Sequence, residues 1–404
     1  MKIVYLHQYF NTPSMYGGQR SYNFSQSLAE NGHEVTVITS DRKTNNLKTF
    51  TTTVGKVKVI WIPVKYHNSF SYLSRIFAFL SFTLRASMQI LKIECDLVFA
   101  TSTPLTIAVP ALIKKTFHKT NFIFEVRDLW PELPIAMGAL KNKLLIRLAK
   151  SLEKKVYKDS SCIIALSKGM KDGVLSHGVN DKRIAVIPNI SDSSKFKELD
   201  LRKKLSSKRI IYAGALGHIN NIKWICSFSD HLFKFDKKIV VQVYGDGTMN
   251  ELLSHHSSLD TNNLIFSKPL PKKEIFEEFG KSTYSIISFN DLPEMRKNSS
   301  NKFFDSLASS TPVIINFGGW IHEIVEDYQL GYSCWEKDLD EFCKMIVSEL
   351  RDDDKYILKA KKCRIIAEKN FSREIACNKF NKIINRTLAN NFEIKDIADG
   401  NIIS

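Results

Sequence analysis

The chain has 404 residues, 44% of them hydrophobic, enough to bury a sizeable core and to fold as two domains in series. Seven scattered cysteines with no CxxC pair and no metal-ligand spacing exclude a disulfide scaffold and a zinc module, and predict reduced thiols in a cytoplasmic protein. The net charge of +16 is uneven: residues 1–190 carry 26 Lys+Arg against 12 Asp+Glu, and residues 191–404 carry 32 against 30. The basic half predicts an anionic partner, a membrane surface or nucleic acid, with an unspecialised basic surface as the plain alternative.

In chain order, the opening run KIVYLH reads as a strand, too interrupted by polar residues for a signal peptide. No window is long and apolar enough to predict a transmembrane helix. After it come EVTVIT, VKVIWIP, DLVFAT, NFIFEV, CIIALS and IAVIPN, with amphipathic stretches between several of them, the pattern of a parallel sheet covered by helices. Residues 1–190 are therefore one doubly wound, Rossmann-like domain, and the polar stretch 191–207 is a linker. The alternation restarts with RIIYAG, IVVQVYG, NLIFSKP, YSIISF and PVIIN, a second such domain over 208–371. The end, 338–390, is helical, with the stretch from about 391 frayed. Ligands of such sheets bind beyond the carboxyl ends of the strands, so the expected site is the cleft between the domains.

Several strand-to-helix loops are candidates for that site. In NKFFDSLASSTPVIINFGGW (301–320), Ser299, Ser300 and Asn301 are competent N-caps for a helix beginning near Lys302. A lysine in the first turn opposes the helix dipole, so a phosphate ligand explains it better than helix stability does. Asp305, one turn on, suits ribose hydroxyls, and Gly318–Gly319 would let backbone approach a ligand. The plain alternative is a surface helix with a Lys302–Asp305 ion pair. Gly214, Gly217 and His218 follow the strand RIIY, and Gly245 and Gly247 follow VVQVY, both turns able to offer N–H groups to oxygens. Neither has the GxGxxG pattern, and no Walker A lysine exists, so nicotinamide-dinucleotide binding and P-loop hydrolysis lose support. Across the cleft, Gly17, Gly18 and Arg20 form the loop after the first strand, an acceptor or phosphate loop. Arg127, Asp128 and Glu132 beside Trp130 form a charged cluster that is either catalytic or an ion pair holding a loop.

Together the GG loop, GHEVTVIT, RDLWPE, ALSKGMKDGVLSHGV with VIPN, YAGALG, VYGDG and NKFFDSLASSTPVI with GG resemble the family 4 glycosyltransferases over nearly the whole chain. The resemblance is nearest to the transferases of bacterial O-antigen, capsule and exopolysaccharide pathways. It implies the GT-B fold, retaining transfer without metal or cofactor, and a nucleotide-sugar donor, with uridine as the base, held by the C-terminal domain. Asp305 takes the place of the second acid of the family's Glu-x7-Glu pair. Lys297 stands where the first acid belongs, so other atoms near Asn298–Asn301 must meet the sugar. Lys302 would lie on the diphosphate. Arg127 replaces a histidine common in the family, and Ala215 replaces an arginine, for which His218 or Lys223 is a substitute. Asp128, or a diphosphate oxygen, would take the acceptor's proton, with Lys302 stabilising the leaving diphosphate. The C-terminal helix, about 372–390, would pack back on the first domain.

Residues 70–92, FSYLSRIFAFLSFTLRASMQILK, with basic IKKTFHK and KNKLLIRLAKSLEKK downstream, predict that the first domain docks on the anionic inner face of the cytoplasmic membrane. There it would take a lipid-linked, undecaprenyl-diphosphate type glycan. A core helix is the alternative. No DNA- or RNA-binding motif is present, so nucleic acid is not an expected partner. The rival enzyme class is a sugar-nucleotide epimerase of the same two-domain fold.

Overall fold

The computed structural model describes residues 1–398 apart from 16, 43–47, 68–69, 71, 197–198 and 258–262. The first half builds an eight-stranded sheet from β1 (Lys2–Leu6), β2 (Glu34–Asp41), β3 (Phe50–Val54), β4 (Val57–Pro63), β5 (Leu97–Thr101), β6 (Asn121–Val126), β7 (Cys162–Ala165) and β8 (Ile184–Val186). Their spatial order is β3-β4-β2-β1-β5-β6-β7-β8, parallel except for the β3–β4 hairpin. The second half builds a six-stranded parallel sheet from β9 (Arg209–Ala215), β10 (Val240–Asp246), β11 (Leu264–Ser267), β12 (Tyr284–Ile287), β13 (Val313–Ile315) and β14 (Gly331–Ser333), in the order β11-β10-β9-β12-β13-β14. The apolar runs are buried on both faces: Val98 and Phe122 pack into one core layer, Phe99 and Ile123 into the layer on the other side.

The order in which strands are added reverses beside β1, which lies between β2 and β5, and beside β9, which lies between β10 and β12. Crevices open at such switch points, outside the carboxyl ends of the strands. The residues after β1 and at the end of β9 are thereby fixed as cleft residues before any side chain is considered.

The segment 191–207 is more ordered than a solvated tether. Phe196 and Leu205 are buried, Leu201–Ser206 is helical, and buried Lys204 donates to the Ser309 carbonyl (2.7 Å) and the Thr311 hydroxyl (2.6 Å); residues 197 and 198 lie outside the described part. The helix Arg373–Leu388 crosses back to the first sheet. There Phe380 stacks on Phe24 with ring centroids 4.2 Å apart and meets Phe99 edge-on, and Asn381 donates to Ser27 Oγ at 2.9 Å. The two crossings lie side by side, joined by a bridge between Ser191 and Ser372 and by Ser191 N–H donating to the Phe371 carbonyl. Beyond 391 the chain is not frayed throughout: Ile394 is fully buried and Lys395–Ala398 is helical, while residues 399–404 lie outside the described part.

The helix Tyr72–Leu91 turns one side to the sheet, burying Ala78, Phe82, Ala86 and Ile90. The opposite side exposes Leu73, Phe77, Leu80, Leu84, Met88 and Leu91, with Phe77 71% accessible. Exposed Leu144, Leu145 and Leu148 add apolar surface on the basic helix Lys143–Asp159.

Candidate functional site

A cavity of about 800 Å³ lies between the two sheets and is lined from both domains. From the first come His7 after β1, Gly17 and Gly18, and Arg127 and Asp128 after β6; from the second come Ala213–Ala215 of β9, Asp246 of β10 and the turn 298–302 with Asp305.

Lys302 lies in the first turn of the helix Asn301–Ala308, whose N-cap Ser300 makes no side-chain cap and accepts the Phe303 N–H on its carbonyl at 3.1 Å. The lysine stem runs across the face of Gly214: a Cβ there would collide with Lys302 Cε and come within 2.9 Å of Nζ. The ammonium sits 5.0 Å from the Tyr212 ring centroid and 5.4 Å from that of Phe289. Burial pushes its pKa down to about 8, and the Asp305 carboxylate opposes that fall. Asp305 itself pairs with Lys272 rather than with Lys302, in a site where both side chains are largely buried. The simple surface pair is thus replaced by two cations flanking one carboxylate. Asn301 faces Gly18, where an added Cβ would lie 3.0 Å from Asn301 Nδ2.

On the facing wall, Arg127 Nη1 lies 3.2 Å from His7 Nε2, and Arg127 N–H donates to Ser102 Oγ at 2.9 Å. Burial first, then the Arg127 and Arg42 charges, hold His7 well below the usual imidazole range. The ring is neutral and accepts from Arg127, while its Nδ1 has no protein partner among the described residues. Desolvation pushes Asp128 up to about 6, against the lowering effect of Arg127. A half-buried acid that ionises near neutrality, beside a fixed guanidinium, can exchange a proton with a hydroxyl entering the cleft.

Not every expected residue is there. Arg20 is not a loop cation: its guanidinium is buried against Glu125 (2.8 Å) and the Ile187 carbonyl, and covers the Phe24 ring. Gly217, exposed His218 and Lys223 lie outside the cavity lining. Gly245 and Gly247 are required by packing, because a Cβ on either would strike backbone of Gly214 or Leu216. Gly318 and Gly319 do not open the backbone to a ligand either: Trp335 covers the first, and the Arg296 backbone meets the second, whose φ is +97°. Lys297 turns toward the first domain, its side chain over Gly169 and its carbonyl accepting from Ser167 Oγ at 2.5 Å. Glu132 lies away from the cavity lining. Conversely, His7, Arg42, Tyr244 and Lys272 line the cavity without having been anticipated. His7 directly follows a strand at the switch point, a position that could have flagged it.

Residues 17–195 match the family model described as Glycosyltransferase Family 4. An uncharacterized glycosyltransferase of Methanocaldococcus jannaschii is 27% identical over 132 residues, 31% of this chain, and the match spans about a third (34%) of that relative's length. Among solved structures, sucrose-phosphate synthase from Thermosynechococcus elongatus superposes with a TM-score of 0.76 at 13% identity, over 96% of this chain and 99% of that one. Anabaena Alr3699/HepE in complex with UDP gives 0.64 at 15% identity, over 96% and 100%. WaaG, a glycosyltransferase involved in lipopolysaccharide biosynthesis, gives 0.69 at 12% identity, over 94% and 99%. With its two parallel sheets facing across a cleft, the chain has the GT-B fold, and the stretch of it that is similar to glycosyltransferase family 4 is residues 17–195.

Proposed function

We propose that the protein is a retaining glycosyltransferase that moves a sugar, a hexosamine or deoxy-aminosugar, from a UDP-sugar to a lipid-linked glycan in bacterial surface polysaccharide synthesis. The observation that carries this reading is the group of Lys302, Asp305 and Lys272 at one end of the interdomain cavity. It offers a cation and a helix N-terminus without a side-chain cap for a diphosphate, with a carboxylate one turn away for ribose hydroxyls. Structures such as that of Alr3699/HepE, which holds UDP, share the fold and support the choice of nucleotide. In the transfer, Lys302 would stabilise charge on the departing diphosphate, and Asp128 would accept the acceptor's proton on the same face. Neutral His7 would hold the Arg127 guanidinium, and through it orient Asp128. No metal takes part in these steps.

The acceptor side of the reading rests on the exposed apolar stripe of Tyr72–Leu91 and on the basic helix Lys143–Asp159, both of which pack against Ala108–His118. No helix among the described residues is long and apolar enough to cross a membrane. A stripe of leucines and phenylalanines next to lysines suits the boundary of an anionic bilayer, from which a polyprenyl-linked glycan would reach the cleft.

The test is a thermal-shift comparison of UDP, GDP and ADP on wild type, Lys302→Ala and Asp305→Ala, followed by UDP release from UDP-sugars with and without a lipid-linked acceptor. The expected result is a UDP-selective stabilisation lost in both variants, and UDP release that requires the acceptor. Stabilisation that survives both substitutions would sink the donor site. Sugar inversion on the nucleotide with no acceptor would favour an epimerase.

A further inference from the structure

Outside the cleft, three potential ligands converge from separate elements: Glu132, in the short helix that follows the Arg127–Asp128 loop; Glu153, on Lys143–Asp159; and His177, just past the helix Lys168–Leu175. Their nearest ligating atoms all lie within 4.8 Å of one another. Glu153 is completely buried, and among the described residues neither its carboxylate oxygens nor Glu132 Oε2 has a hydrogen-bond partner in good geometry; the groups that face Glu153 are the Tyr157 hydroxyl and the His177 ring. Tyr157 lies alongside, its ring 5.4 Å from that of His177. Bringing two carboxylates together in a desolvated site disfavours their ionised forms, and a cation between them offsets that cost.

The histidine supplies the second observation. Its Nδ1 lies 3.3 Å from the Gly173 carbonyl, which leaves Nε2 as the ring nitrogen turned toward the carboxylates. Nε2 lies 3.3 Å from Glu153 Oε2. An imidazole whose other nitrogen donates to a backbone carbonyl is the arrangement of a metal-bound histidine.

We propose that Glu132, Glu153 and His177 bind a divalent transition-metal ion, with zinc the best fit to one imidazole and two carboxylates. These three ligands leave a fourth position for water on the exposed side of His177, which is also the path of entry. The ion ties the segment carrying Glu132 to two neighbouring helices. Because Glu132 lies four residues past Asp128, the site fixes the loop that ends in the cleft without contributing to the cleft itself. The inference stands independently of the donor and acceptor assigned above.

The experiment uses the full chain, stripped with a chelator and free of nucleotide. Zn²⁺ is titrated in competition with a chromophoric chelator, with Mn²⁺ and Mg²⁺ in parallel. We expect one tightly held Zn²⁺ per chain, and a dissociation constant at least about tenfold weaker in His177→Ala and in Glu153→Gln. Zn²⁺ should also raise the melting temperature of wild type but not of His177→Ala. His177 is exposed, so that variant keeps the test decisive even if Glu153→Gln folds poorly. Failure to compete for Zn²⁺, or an affinity that His177→Ala leaves unchanged, overturns the proposal. So does NMR evidence that His177 in stripped protein is doubly protonated at neutral pH and that Zn²⁺ does not displace a proton.

Discussion

Gly214 gives the sharpest way to ask whether Lys302 binds the donor diphosphate. Adding one methyl there puts a Cβ into Lys302 Cε and within 2.9 Å of Nζ, so the ammonium must swing off its place over Tyr212 and Phe289. The colliding atoms are the far end of a flexible side chain, and Gly214 does not occupy a positive-φ conformation, so folding stability should change by less than about 1 kcal/mol. Binding should change by more, because a charge-assisted contact to the diphosphate is worth about 1.5–3 kcal/mol. That corresponds to about a 10- to 150-fold loss of UDP affinity. Calorimetric titration of UDP into wild type, Gly214→Ala, Lys302→Ala and the double variant closes a cycle. If the methyl acts only through the lysine, its cost in the Lys302→Ala background falls below about 0.5 kcal/mol. Full additivity, or wild-type affinity in Gly214→Ala, would refute the reasoning.

Three further outcomes follow from the same geometry. The folded-state pKa of Asp128, near 6, lies above that of the unfolded chain, so the folded state binds more protons between about pH 4 and 6 and stability falls as pH rises through that window. Asp128→Asn should therefore raise unfolding free energy at pH 7 by about 1–3 kcal/mol in urea melts, with the gain vanishing below pH 4, while transfer activity drops and the acid limb near pH 6 disappears from kcat/KM. Lys302, with its pKa lowered to about 8, must be protonated to hold a diphosphate; UDP affinity should decline above pH 8 in wild type and show no such decline in Lys302→Ala. Phe77→Glu and Leu84→Glu, both on the exposed stripe, should leave melting temperatures unchanged but abolish flotation with vesicles rich in phosphatidylglycerol, and vesicle binding indifferent to both substitutions would remove that stripe from the interface.

The fold was legible wherever strands are buried on both faces, because such strands are continuous apolar runs. β3 escaped because FTTTV is a mostly exposed edge strand, and β14 because Gly331–Ser333 offers three residues and no apolar run. Within the site, Lys302 and Asp305 could be read from local rules of helix ends. Lys272 could not, since it belongs to a charged stretch 33 residues from the carboxylate it meets. The same difficulty misassigned Arg20, whose partner Glu125 lies 105 residues away. Glycines misled in a different way. A glycine-rich turn predicts close approach without saying of what, and at Gly245, Gly247, Gly318 and Gly319 the neighbour is the protein's own backbone or Trp335, whereas at Gly214 it is the side chain of Lys302.

The return of Arg373–Leu388 to the first sheet has a consequence for how the protein is made. Phe380 fills the space over Phe24 and Phe99, so a nascent chain that has emerged only as far as residue 200 lacks the cover for that face. The second sheet, built wholly from residues 209–333, can complete its strands while the first remains open. During translation the domain that starts first should finish last, leaving an oily face exposed until Arg373–Leu388 has left the ribosome. Emergence of that helix, rather than synthesis of residues 1–190, is then the step at which the first domain becomes protease-resistant.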